Sequence, residues 1–186
     1  MDLAGMNVLI TGAARGIGAA TARDLAARGA RLALVGLEPG LLATLAAELG
    51  PWHVWAEADV TDSAALHCAV AKAVAALGGL DVVVAGAGIA SFGTVRTIDP
   101  DAFARTVEVN LTGVFRTAAA TLPHLVDSAG YLWVVSSLAA LFPTAGFSAY
   151  GASKAGVEAF ADSLRIEVAP LGVSVGCAQS ARWDAR

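Results

Sequence analysis

Six short apolar runs, separated by stretches of helical pattern, constrain this chain more than any other feature of its 186 residues. They are residues 6–11 (Met-Asn-Val-Leu-Ile-Thr), 31–36, 52–58, 80–85, 130–136 and 173–177. Each is short and rich in apolar residues, and reads as a strand. They are apolar runs rather than strict polar/apolar alternations. Strands of that kind are covered on both faces, which calls for a parallel sheet with helices on either side.

The connecting segments supply those helices. Residues 19–28 form a helical pattern stopped by Gly29, and residues 41–49 one stopped by Gly50 and Pro51. Residues 62–77 follow, with Asp62 or Ser63 as N-cap and Gly78-Gly79 as stop. Residues 100–126 read as a long helical region containing Asn110 and broken near Pro123. The last helix, residues 148–168, ends near Pro170 and Gly172. Right-handed crossovers then predict an α/β fold with a doubly wound, Rossmann-type sheet of six strands in the order 3-2-1-4-5-6. Without a repeat or a linker, residues 1–186 are expected to form a single domain, with 178–186 as an irregular tail.

Composition narrows the functional classes. Hydrophobic residues make up 56% and charged residues 15%, which excludes a disordered chain. The net charge is -4 without a basic cluster, so nucleic acid and anionic membrane surfaces are poor partners. Cys68 and Cys177 make neither a disulfide framework nor a zinc spacing, and are read as small core residues. His53, His67 and His124 are scattered, so no metal site is expected. The first six residues lack a cationic start and are not read as a signal peptide. Residues 128–153 carry no charge before Lys154, but their serines, Pro143 and Gly146 point to a strand and loop rather than a membrane span. The expected protein is soluble and cytoplasmic.

Two stretches carry chemistry. Gly12-Ala-Ala-Arg15-Gly16-Ile17-Gly18 follows the first strand and opens the first helix. There Gly12 permits a tight turn. Gly16 and Gly18 allow close approach to a pyrophosphate, which the helix N-terminus favours through its unpaired N–H groups and dipole. The second stretch runs from Ser136 to Lys154. Tyr150 and Lys154 are four residues apart and share a helix face. A free tyrosine has a pKa of about 10. A lysine ammonium one turn away favours the phenolate, which would suit Tyr150 to general acid–base work. Ser137 ends the fifth strand, where ligands sit in open α/β sheets, and its hydroxyl is placed to hold a substrate oxygen.

Taken in order, these residues resemble the short-chain dehydrogenases/reductases over roughly residues 7–177. Residues 11–18 (Thr-Gly-Ala-Ala-Arg-Gly-Ile-Gly) resemble the family's cofactor loop, and Asp59-Val60 the pair that contacts adenine. Asn110, Ser137 (thirteen residues before Tyr150), Tyr150 and Lys154 resemble its catalytic tetrad. The resemblance implies an oxidoreductase moving hydride between NAD(H) or NADP(H) and an alcohol or carbonyl. Tyr150 exchanges the proton and Ser137 polarises the carbonyl. Lys154 lowers the Tyr150 pKa and binds the nicotinamide ribose, while Asn110 holds a water. Gly12, Arg15, Gly16, Ile17, Gly18, Asp59, Val60, Ala87, Gly88, Tyr150 and Lys154 are the expected cofactor contacts. Arg15 suggests NADP over NAD, since it could meet a 2′-phosphate and no acidic residue ends the second strand, Glu38 lying just beyond. A homodimer through the Asn110 and Tyr150 helices is implied too. The apolar character of residues 91–93 and 141–143 suggests a hydrophobic small-molecule substrate.

Two departures stand out. The family's Asn-Ala-Gly is here Gly86-Ala87-Gly88, which should loosen the site. After the sixth strand there is no Pro-Gly turn, so the substrate-covering segment and seventh strand are expected to be missing. A frameshift near Ala178 of a once complete gene would explain this, and the other reading frames of the genomic DNA test it. The alternatives are therefore a non-catalytic dinucleotide-binding domain or an inactive shortened product.

Overall fold

In the computed structural model, which describes residues 3–180, the strands are β1 (Asn7–Thr11), β2 (Arg31–Gly36), β3 (Val54–Glu57), β4 (Val82–Ala85), β5 (Tyr131–Ser137) and β6 (Ser174–Ser180). The helices are α1 (Gly16–Ala27), α2 (Pro39–Leu49), α3 (Ser63–Leu77), α4 (Pro100–Val107), α5 (Gly113–Ser128) and α6 (Ser148–Val168). The strands form one parallel sheet ordered β3-β2-β1-β4-β5-β6. This is the expected doubly wound arrangement, and β6 is an edge among the described residues.

The sheet is buried on both faces, as the apolar runs require. Leu9, Val83, Leu132 and Val134 pack into one core with α3, α5 and α6. Val8, Ile10, Leu32 and Leu34 point the other way, into a second core with α1 and α2. Val8, Leu9 and Ile10 are all fully buried, so three successive residues feed two cores. Each such side chain contributes about 1.5–3 kcal/mol of burial.

Local chemistry sets the ends of the elements. The Asp62 side chain accepts from the amides of Ala64 and Ala65 and caps α3, which Gly78 closes at φ 92°. His53 Nδ1 accepts from the Leu32 amide at 3.2 Å, a structural use of that histidine.

Several features differ from the sequence reading. Pro123 does not break its helix, because it lies inside α5 on the exposed face. The Ala119 carbonyl that a proline at 123 leaves unbonded is on that same exposed face, where water can serve it. The interruption comes earlier, as a π-turn over Glu108–Thr112. Cys68 is exposed and so is not a core residue, while Cys177 is half-buried and packs against the edge of the core. Cys68 falls outside the Leu66, Ala69, Val70, Ala73, Leu77 stripe that α3 buries. Finally, β6 runs on to Ser180, because Ala178, Gln179 and Ser180 pair with Val135, Ser136 and Ser137 after the apolar pattern has ended. The rest of the expected tail, residues 181–186, lies outside the described residues. Among the described residues, no helix is long and apolar enough to cross a membrane.

Candidate active site

A cavity of about 790 Å³ opens at the carboxyl ends of the strands. Such a crevice forms where the connections from β1 and β4 leave for opposite faces of the sheet.

Its floor on one side is the glycine loop. Gly12 has φ +70°, and a Cβ there would lie 2.7 Å from Ala87 Cα. A Cβ on Gly18 would overlap the Gly12 carbonyl oxygen. These glycines let β1, α1 and the segment after β4 touch. Helix α1 starts at Gly16, earlier than its sequence pattern suggested. Arg15 stands at its N-cap in an extended conformation, no side chain caps the helix, and its first turn holds no acidic residue. The first-turn amides are thus left to solvent or to an anionic ligand.

Further along this side, Arg15 forms an ion pair with Glu38, and both line the cavity. Asp59 Oδ1 accepts from the Thr61 amide and hydroxyl, each at 2.8 Å, and Oδ2 accepts from Arg105 at 3.0 Å. Burial raises the Asp59 carboxyl, but these bonds outweigh it and hold the group below its ordinary value. Val60 is buried against Gly113, where a Cβ would come within 2.6 Å of its Cγ2.

The other side is built by β4, β5 and α6. Ser137 is the last residue of β5, and its Oγ accepts from the Ala139 amide at 3.2 Å. Tyr150 and Lys154 rise from the first two turns of α6, at 8% and 3% exposure. Lys154 Nζ donates to the Val135 carbonyl at 2.7 Å and lies 5.9 Å from the centre of the Tyr150 ring. Burial lowers the Lys154 pKa to about 8, with Cys177 opposing the shift.

Gly12, Arg15, Gly16, Ile17, Gly18, Asp59, Val60, Ala87, Gly88, Ser137, Tyr150 and Lys154 therefore line one cavity. Asn110 does not. It is fully buried one layer behind, in the π-turn. Its Oδ1 accepts from the Ile89 amide at 2.8 Å, and its Nδ2 donates to the Ile89 carbonyl at 2.9 Å and to Ser153 Oγ at 3.0 Å. Asn110 thus clamps the segment after β4 to α6. A Cβ on Gly88 would sit 3.3 Å from Asn110 Oδ1 and 3.7 Å from Lys154 Nζ, so Gly88 is where this clamp meets the cavity.

Sequence reasoning placed Thr11 in the cofactor loop but missed its hydrogen bonds to the segment after β4. Its Oγ1 accepts from the Gly86 and Ala87 amides at 3.2 and 3.4 Å. This ties β1 to the segment after β4, the place where the absent asparagine was expected to leave the site loose. A hydroxyl residue ending the first strand was the available signal. Arg105 was missed as well, since only folding brings α4 beside Asp59.

The family model for short chain dehydrogenases matches residues 6–184. The chain belongs to this family. A 2,5-dichloro-2,5-cyclohexadiene-1,4-diol dehydrogenase of Sphingobium indicum is 37% identical over 177 residues, 93% of this chain and 71% of that one. A 2,3-dihydro-2,3-dihydroxybenzoate dehydrogenase of Bacillus subtilis is 35% identical over 91% of this chain and 66% of its own. Among solved structures, an NAD+-bound xylitol dehydrogenase superposes with TM-score 0.93 at 28% identity, over 97% of this chain and 72% of that one. The chain thus falls within a family of oxidoreductases, and spans roughly two thirds to three quarters of these relatives' length.

Proposed function

We propose that this chain interconverts a secondary alcohol and its carbonyl compound using NAD or NADP, with Tyr150 as general acid and base. The observation that carries this reading is the convergence of Ser137, Tyr150 and Lys154 on a cavity floored by an uncapped helix N-terminus and close-packed glycines. That floor fits a dinucleotide, with Gly12, Arg15, Gly16, Ile17 and Gly18 at the pyrophosphate and Asp59 and Val60 toward the base. When bound, the nicotinamide takes or supplies the hydride.

In the oxidative direction the alcohol would give up a carbinol hydride, the chemistry the nicotinamide would supply, together with its hydroxyl proton. The proton passes to the Tyr150 oxygen, and a carbonyl double bond forms. Ser137 holds the substrate oxygen through both states. The Lys154 ammonium stabilises the negative charge that Tyr150 carries between proton transfers. Asn110 acts through position, by fixing Ile89 and with it the segment on which Ala87 and Gly88 approach the cofactor. The Arg15–Glu38 ion pair bears on the choice of cofactor. It offsets the charge that would draw a 2′-phosphate, so the preference for NADP suggested by Arg15 is small.

The test is Tyr150→Phe. Turnover should fall by about 100-fold to 10,000-fold while cofactor affinity stays within a few-fold, read by cofactor fluorescence titration. Cofactor binding by the wild type without turnover on any alcohol or ketone would instead support a binding domain.

A further inference from the structure

Charge is divided unevenly across the cavity. Arg15, Glu38 and Asp59 line its β1–β2–β3 side, and Arg105 is held there by Asp59. On the β4–β5 side, among the described lining residues, Lys154 is the charged group, and it is buried against the Val135 carbonyl. The wall there is made of Ile89, Phe92, Leu138, Phe142 and Phe147. Two hydroxyls on that side are already engaged by the protein. Ser136 Oγ donates to Glu158 at 2.9 Å, and Thr144 Oγ1 donates to the Phe142 carbonyl at 3.3 Å. Arg96, on the turn after Gly93, is exposed and does not line the cavity.

This wall is pre-arranged. The Phe92 and Phe147 rings meet edge to face, centroids 4.8 Å apart at 65°. The Gly93 amide donates to the Gly146 carbonyl at 2.9 Å, joining the loop after β4 to the loop after β5. Thr106 Oγ1 donates to Ser91 Oγ at 2.8 Å, and Asn110 holds Ile89 from behind. Phe92 and Phe142 nonetheless remain 60% and 64% exposed, so large aromatic faces stand open in the cavity that Ser137 and Tyr150 also line.

We propose that this wall selects an uncharged, ring-sized apolar alcohol or ketone and rejects one bearing a carboxylate. The proposal rests on the oxidoreductase reading and adds its substrate class. A flat or puckered ring gains contact with Phe92, Phe142 and Phe147 without new ordering of the loops. A carboxylate entering the same space would lose water and, among the described residues of this wall, would meet no cation besides Lys154, whose ammonium is held by the Val135 carbonyl, a penalty that converts into discrimination.

The experiment uses the full chain saturated with NADH or NADPH. Three ring ketones are compared: cyclohexanone, methyl 4-oxocyclohexanecarboxylate and 4-oxocyclohexanecarboxylate. The ester matches the acid in size, so the pair isolates charge. Binding is read from cofactor fluorescence and turnover from cofactor absorbance. Cyclohexanone and the ester should both bind, and the ester should bind about 100-fold more tightly than the acid. Phe142→Arg should bring the acid to within about tenfold of the ester, with cofactor affinity unchanged. The proposal is overturned if the acid matches the ester in the wild type, if Phe142→Arg leaves the ratio unmoved, or if no ring ketone binds the cofactor-loaded protein. It is overturned equally if the acid is preferred and Arg96→Ala abolishes that preference. Ring binding without turnover would sink the role given to Tyr150 and leave the binding class standing. Failure to bind either cofactor would sink both.

Discussion

Lys154 carries an ammonium into a space nearly closed to water, and the fold bears the cost. The folded-state pKa is about 8 against an ordinary 10.5, so the unfolded chain holds this proton more tightly. Lys154 therefore destabilises the folded chain fully below pH 8. The penalty shrinks as pH rises from 8 to 10.5, and amounts to roughly 3 kcal/mol where complete. Lys154→Met should then be more stable than the wild type at pH 7 by up to about that amount, with the gap closing toward pH 10.5. Urea unfolding across that range checks it, and a variant less stable at pH 7 would contradict it. Glu38 makes the second prediction at this scale. Glu38→Gln frees Arg15 from its ion pair and removes a negative charge from the cavity rim. The ratio of NADP to NAD affinities should rise by about tenfold, measured by titration with each cofactor.

At the scale of elements, the site depends on how strand ends are tied. Thr11 is the last residue of β1 and is buried, yet its hydroxyl accepts two amides from the segment after β4. Thr11→Val keeps the shape and removes the acceptor. It should cost about 1–3 kcal/mol in chemical denaturation, and Thr11→Ser should recover most of it. The π-turn at Glu108–Thr112 belongs to the same scale. By inserting a wider turn between α4 and α5 it places Asn110 inward, against Ile89 and Ser153. A continuous α-helix read from residues 100–126 would not have placed it there. Nothing in the hydrophobic pattern distinguishes a π-turn from an α-turn, since the deviation is one residue and is set by packing.

At the scale of the whole molecule, two cores hold one sheet, and an apolar strip remains on the outside of α5 and α6. Phe115 is 54% exposed and meets Phe160 edge-on at 6.2 Å. This strip fits the homodimer that the family resemblance implies. Sedimentation velocity should show a dimer, and Phe115→Glu should shift it to monomer. A wild-type monomer at micromolar concentration would contradict it.

The sequence determined the sheet, because two-sided burial leaves a run of apolar residues that few architectures accept. Residues 31–36 were legible to the residue for the same reason, and 148–168 because a helical pattern runs between a glycine loop and Pro170. It also marked most of the residues that line the candidate cavity, since close-packed glycines and a Tyr150–Lys154 pair are local patterns. Tertiary structure alone decided the rest. It joined Arg15 to Glu38, Arg105 to Asp59, and the Thr11 hydroxyl to amides 75 and 76 residues away. It also set Asn110 behind the cavity wall rather than in it. Such contacts form between side chains remote in sequence, and their energies depend on distance and burial that no local pattern encodes.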